Sequence, residues 1–260
     1  MTSAPVLLES ERQGAVLTLH LNRPAKRNAL NDATIAALDE TFSTLDPDVR
    51  VVIINGRGEH FSAGLDLSDI SERNAVEGVM HSRSWHRCFE KIQFGTVPVV
   101  AALKGAVIGG GLELAAAAHI RVAEEGAFYA LPEGQRGIFV GGGGSVRLPR
   151  LIGVARMADM MLTGRTYGAA EGVALGFSQY IVPKGGALAK AQELAARMAT
   201  NAPLTTFAVI QALPRIAESD PAAGYMMEAL MASIAQDSDE AKGRIRDFLA
   251  KRAAKVALKS

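Results

Sequence analysis

Between Pro98 and Ala118 the chain reads PVVAALKGAVIGGGLELAAAA, an apolar run that passes through glycines into a Leu/Ala-rich segment. Lys104, the glycines and Glu113 interrupt it too often for a lipid-spanning helix, so it has to be buried inside a water-soluble core. Val97 to Leu103 predicts a buried strand and Leu112 to Ala118 a short helix. A strand that turns through glycine into a helix leaves backbone N–H groups unspent at the helix N-terminus, aimed at any anion that sits there. Gly109, Gly110 and Gly111 lack Cβ atoms and let a ligand come close. Two readings follow: a nest for an oxyanion, or tight packing of helix on sheet. Glu113 adds weight to the first, because a carboxylate in the first turn of an apolar helix needs a partner, water or a function. The segment lacks the Gly-Lys-Ser/Thr of a P-loop and the GxGxxG spacing of a dinucleotide site.

A chain of 260 residues, 48% hydrophobic and 21% charged, can bury a core without staples. That length favours one α/β domain, alone or with a helical appendage. A net charge of +1 gives no footprint for nucleic acid or an anionic membrane, and neither is expected as a partner. Cys88 is the only cysteine, which excludes an intrachain disulfide and a cysteine-based zinc site. His20, His81, His86 and His119 have no HExxH or His-x-His spacing, so no metal is expected. Met1 to Ser10 lacks a basic stretch followed by an apolar one, with Glu9 and Glu11 nearby, and predicts a cytoplasmic protein without a leader.

Val16 to Leu21 alternates at period two, as a half-buried strand does. Asn31 or Asp32 can cap a helix carrying Ile35, Leu38, Phe42 and Leu45, which Asp46-Pro47 ends. Val51 to Ile54 reads as a strand buried on both faces, closed by Asn55-Gly56. Ile120 to Ala123 and Ala127 to Ala130 read as extended. From about residue 154 helices dominate, with amphipathic stretches at Ala187–Thr200, Leu204–Ala217, Pro221–Gln236 and Asp239–Lys255. The expectation is an α/β core over residues 1–195 and a helical subdomain over 196–260.

Other residues carry weaker signals. Glu133 follows Leu131-Pro132 and precedes Gly134; it reads either as a solvated loop glutamate or as a second acid in one cleft. His60, Ser62 and Asp66 are too crowded in one loop for a hydrolytic triad, and no nucleophile elbow surrounds Ser62. His119 reads as a helix-end or packed core histidine. Met226, Met227 and Met231 suit a core or a subunit contact. Arg147, Arg150 and Arg156 suit phosphate or, more commonly, a solvated face. Trp85, Phe89 and Phe94 suit an acyl channel or plain core.

Taken together these segments resemble the crotonase, or enoyl-CoA hydratase/isomerase, superfamily over nearly the whole chain. The resemblance is carried by Arg23-Pro-Ala-Lys-Arg-Asn-Ala-Leu30, Phe61-Ser-Ala-Gly-Leu-Asp-Leu67, Gly105 to Leu114 and Leu131-Pro-Glu133, in the family's order. It implies a spiral of ββα units with C-terminal helices that cover the site and join trimers or paired trimers. It implies that the N–H groups of Leu65 and Gly110 hold a thioester oxygen, with Glu113 as base on water and Glu133 as acid toward Cα. It implies acyl-CoA as substrate, no separate cofactor, and CoA contacts near Lys26, Arg27, Ala63, Asp66 and Leu67. Both acids, at the family's hydratase spacing, point to hydration of a 2-enoyl-CoA. The alternatives are isomerisation, decarboxylation, thioester hydrolysis or a silent binding member. Phe139 and Val140 stand where a proline is frequent and add bulk beside the acyl pocket; His119 stands where Asp is usual.

Overall fold

The computed structural model describes residues 6–69, 72–250 and 252. Strands β1 (Leu8–Gln13) and β2 (Val16–Leu21) form an antiparallel hairpin turned at Gly14. The period-two reading makes β2 half-exposed, yet Thr18 and His20 are buried along with Leu19 and Leu21. The cause is a sheet covered on both faces, which removes the solvent side on which alternation depends. Helix α1 (Asp32–Ser43) is capped by Asn31, whose side chain accepts the Thr34 N–H at 3.0 Å. It buries Ile35 and Leu38. Strand β3 (Val51–Gly56) is buried throughout and pairs in parallel with β2. Helix α2 (Ala75–Gln93) starts at a capping box between Asn74 and Glu77.

From here the chain repeats one unit. Strand β4 (Val99–Leu103) joins β3, and the next strand, β5 (Ala106–Ile108), leaves for a second sheet before helix α3 (Gly110–Ala117) returns. Strand β6 (Ile120–Glu124) joins β4, and β7 (Phe128–Ala130) joins β5. Helices α4 (Gly144–Ile152) and α5 (Val154–Thr163) follow. Strand β8 (Tyr167–Gly168) pairs with β7; helix α6 (Ala169–Leu175) leads to β9 (Tyr180–Val182), which pairs with β6; helix α7 (Ala187–Met198) ends the run. The result is a large sheet ordered β1-β2-β3-β4-β6-β9 and a small one ordered β5-β7-β8. An isolated parallel bridge from Ser62 to Val107 adds the loop after β3 to the small sheet. Each turn therefore gives one strand to each sheet and then a helix, the expected ββα spiral.

Two layers of apolar contact hold it. Val51, Ile53, Val100 and Val122 on the outer face pack under α7, through Ala191 and Leu194. Val52, Ile54, Val99 and Leu103 on the inner face pack against Phe61, Phe89, Leu112 and Leu114. Helix α3 lies wholly within this inner layer, every residue buried. It starts two residues earlier than the sequence pattern predicts, inside the glycines. β5, β8 and β9 are too short for their periodicity to be read.

The described residues from Thr200 onward form a second compact unit. It holds α8 (Pro203–Phe207), a π-helical turn over Ala208–Ala212, α9 (Leu213–Glu218), α10 (Pro221–Asp237) and α11 (Asp239–Leu249). The single helix expected over 204–217 is broken by that turn, just ahead of Pro214, whose ring and missing N–H displace the hydrogen-bond register. Residues 253–255 of the last expected helix lie outside the described residues. No described helix is long and apolar enough to cross a membrane.

Arg121 on β6 is almost wholly buried and, among the described residues, has no carboxylate partner. Its Nη1 donates to the carbonyl of Ala118 at 2.5 Å and its Nε to that of Phe177 at 2.6 Å. Burial draws its guanidinium down to about 10. The cation thus satisfies carbonyls at the C-terminal end of α3, where the helix dipole favours positive charge. Replacing it by methionine strands these buried acceptors, and Arg121→Met is expected to lower unfolding stability by about 2 kcal/mol, read as a lower urea midpoint.

Candidate active site

The turn from β5 into α3 sets the site. Gly109 sits at φ +51°, and a Cβ there would stand 2.3 Å from Oε1 of Glu133. Only glycine lets that carboxylate lie over the turn. A Cβ on Gly110 would meet the Trp85 ring at 2.9 Å and the Leu65 nitrogen at 3.4 Å. The triple glycine therefore serves tight packing and close approach together. The nitrogens of Leu65 and Gly110 are neighbours: a Cβ on Gly64 would stand 3.2 Å from the Gly110 nitrogen. Gly64 carbonyl and Asp66 N–H are taken up by Leu30, at 2.7 and 2.8 Å, which fixes the loop around Leu65. Among the described residues neither the Leu65 nor the Gly110 N–H finds an acceptor.

Both acids are buried and face one cavity. Oε1 of Glu113 accepts the N–H groups of Gly142 and Gly144 at 2.8 and 2.7 Å. Burial raises its pKa, while these two bonds and the nearby Arg147 charge oppose the rise. Glu133, which a lone Pro-Glu-Gly would leave solvated, is only 8% exposed. Its Oε2 is buried without a hydrogen-bond partner among the described residues. Burial, reinforced by the Glu113 charge, pushes Glu133 up to about 7, against a hydrogen bond from its own backbone and the Arg136 charge. Both carboxyls are thus raised by burial, and they differ in support: Glu113 has two N–H donors that favour its anion, whereas Oε2 of Glu133 has none among the described residues.

The cavity measures about 470 Å³. Its wall takes in Leu65, Gly110, Glu113, Glu133, Phe139 and Val140 from the sequence-derived set, and Trp85. Val140 is buried and Phe139 is 68% exposed at the rim. Phe89 stands edge-on behind Trp85, at 5.7 Å between rings, and is core; Phe94 is also off the cavity wall. Sequence reasoning missed Arg73, His81 and Ser82. For His81 and Ser82 the signal was present as the spacing 78, 81, 82, 85, one face of α2; Arg73 precedes that helix and had no such signal.

Lys26, Arg27, Ala63, Asp66 and Leu67 lie together beside the cavity and do not line it. The Ala63 N–H donates to the Arg27 carbonyl at 2.9 Å, and Lys26 reaches the Ser68 hydroxyl at 3.2 Å. Arg27 and Leu67 are exposed. Asp66 is different: its carboxylate is buried and accepts from Ser68 Oγ at 2.6 Å and Arg23 Nη2 at 2.7 Å. Its side chain latches the loop, leaving only backbone for a ligand. Ser62, His60 and Asp66 are separately engaged, Ser62 with the Asn28 carbonyl and His60 with the Ala106 N–H, so they form no triad. Among the described residues no cluster of His, Cys, Asp and Glu could hold a metal.

Arg147 is buried, where a solvated face was expected. Its Nη1 donates to the Gly142 carbonyl at 2.9 Å and its Nε to Gln93 Oε1 at 2.6 Å. Gly142, whose N–H binds Glu113, is thus held at its carbonyl by Arg147. His119 continues the chain: Nδ1 accepts the Val99 N–H at 3.0 Å and Nε2 lies 3.1 Å from the Gln93 carbonyl. These partners assign the proton to Nε2. Burial pushes the ring down to about 4, so His119 is a neutral packing histidine tying β4 to the end of α2.

The enoyl-CoA hydratase/isomerase family model matches residues 11–257. The chain belongs to that family. The short-chain-enoyl-CoA hydratase of Clostridium acetobutylicum is 32% identical, with 95% of each chain covered. The 2,3-dehydroadipyl-CoA hydratase of Escherichia coli is 33% identical over 93% of this chain and 94% of its own length. Among solved structures, a candidate enoyl-CoA hydratase from Rhodopseudomonas palustris superposes with a TM-score of 0.93 at 65% identity, covering 95% of both chains. An enoyl-CoA hydratase from Bacillus anthracis gives 0.89 at 30%, covering 95% of this chain and 97% of its own. This family member is a hydratase-like enzyme with the family's α/β spiral, acting within an acyl-CoA superfamily.

The Asp66 latch makes one expectation specific. Its carboxyl is held down at about 2, first by the Ser68 hydroxyl and then by Arg23, against the opposing effect of burial. A depressed folded pKa stabilises above the unfolded value, near 4, and that contribution is lost as pH falls from about 4 toward 2. Thermal melts of Asp66→Asn should therefore lie below wild type at neutral pH and converge with it in this acid window.

Proposed function

We propose that this enzyme adds water across the double bond of a 2-enoyl-CoA to give a 3-hydroxyacyl-CoA. The observation that carries the reading is the convergence, on one cavity wall, of two buried glutamates, of which only Glu113 is held by two backbone N–H groups, and two unspent N–H groups. The N–H groups of Leu65 and Gly110 hold the thioester oxygen as it gains negative charge. Donors preorganised in this way contribute about 3 kcal/mol each where charge develops. Glu113 takes a proton from the attacking water: Oε1 is anchored by Gly142 and Gly144, which leaves Oε2 for the water. Glu133 delivers its proton to Cα, the second water proton stays on the new C3 hydroxyl, and the proton taken up by Glu113 passes back to Glu133 by exchange, which restores the starting state. The proton count closes without a cofactor or metal.

The CoA moiety lies along the turn bearing Lys26, Arg27, Ala63 and Leu67, whose exposed cations and backbone groups suit phosphate and adenine. Phe139 and Val140 cover the acyl group. The names of the hydratase relatives support this substrate class. Exposed apolar residues on α10, Tyr225, Met226, Leu230 and Ile234, support assembly of copies as a trimer or paired trimers through the helical unit.

The test is the loss of conjugated enoyl-thioester absorbance with crotonyl-CoA and longer 2-enoyl-CoAs, with the product identified as 3-hydroxyacyl- or 3-enoyl-CoA. Glu113→Gln and Glu133→Gln should each lower kcat by about 10²- to 10⁴-fold, and wild-type turnover in both would sink the assignment. The pH profile has a defined sign. Glu133 works protonated, so kcat/KM should fall as pH rises through about 7. Glu113 works ionised with a raised pKa, so the acid limb should lie above the ordinary carboxylate range.

A further inference from the structure

The wall of the active-site cavity changes character along α2. Near Gly110 it is apolar, with Leu65, Trp85 and Val140; further out it carries the guanidinium of Arg73 and the ring of His81. Arg73 has five N–H donors, and among the described residues its one polar partner is Asp32, at a loose 3.4 Å. Asp32 is itself 66% exposed and gives its other oxygen to His81 Nε2 at 2.8 Å. One solvated carboxylate is therefore shared between two groups, and the cation at the cavity wall is poorly neutralised. An alkyl tail lying here would strip water from the guanidinium and return no acceptor, which is unfavourable. A tail ending in a carboxylate would return a charge-assisted, two-pronged pair.

Geometry fits such a tail. Helix α2 climbs about 15 Å from Trp85 back to Ala75 at 1.5 Å per residue, and Arg73, two residues before that first turn, lines the cavity at this far end. Lys26 and Arg27, the CoA contacts of the reading above, lie off this wall, beside Ala63. We propose that Arg73, backed by His81, makes this an acyl site for thioesters whose chain ends in a carboxylate, the monothioesters of α,ω-dicarboxylic acids. This specificity rests on the acyl-CoA reading above, and it concerns only the tail.

The test uses unreactive saturated thioesters, so that it stands apart from the reaction. Calorimetric Kd values compare hexanoyl-CoA with adipoyl-CoA and octanoyl-CoA with suberoyl-CoA; crotonyl-CoA hydration, measured alongside, reports on the chemistry alone. Wild type should bind the carboxylate-ended member of at least one pair about tenfold more tightly, the effect of one partly buried ionic pair. Arg73→Met should bring that ratio to about one, and Asp32→Asn, which removes the competing carboxylate, should raise it. Equal affinities within both pairs in wild type would overturn the proposal, as would a ratio that survives Arg73→Met. Loss of crotonyl-CoA hydration with the ratio intact would count against the hydratase reading and leave the tail specificity standing.

Discussion

Everything in the site follows from the way Glu113 is made tolerable inside an apolar helix. A carboxylate buried in that layer would shed its charge unless something met it, and what meets it is a pair of peptide N–H groups from Gly142 and Gly144. That contact joins the first turn of α3 to the glycine segment before α4, elements that come from successive turns of the spiral. Arg147 and Gln93 then hold the same glycine segment from the far side. The Glu113 carboxyl is thus part of the cross-bracing of the fold, and its orientation is set by backbone donors.

Much of the fold was legible because the chain is locally consistent. The β-branched run of β3, the Asn31 cap of α1 and the glycine passage into α3 each specify one outcome. β2 was misjudged on one face because alternation reports solvent, and α7 covers the sheet from a distant part of the chain. The break between α8 and α9 was missed for the opposite reason: Pro214 sits in a pattern that is otherwise continuously helical, and proline perturbs the residues before it.

In the site, Glu113 announced itself by chemistry, as a charge among leucines and alanines. Glu133 did not, because a Pro-Glu-Gly reads as a loop until the spiral folds Gly109 beneath it. Resemblance to the family supplied what spacing could not. Arg147 was hidden because nothing local distinguishes a buried arginine from a surface one; its partners lie near residues 93 and 142. Arg73 and His81 were hidden because the α2 face that carries His81, and the residues leading into that helix, gain their meaning only when Gly110 closes against Trp85.

The two walls of the cavity differ in how freely they can be rebuilt. The α3 wall has each of its eight residues buried, between a glycine turn at one end and Arg121 at the other. The facing wall is loose by comparison, with Ile138 and Phe139 both exposed. Variation is therefore channelled: residues 138 and 139 can change size and polarity at the cost of a surface substitution, whereas any change on α3 disturbs the core. A lineage of such enzymes can explore new acyl groups from one side while its reaction stays anchored on the other.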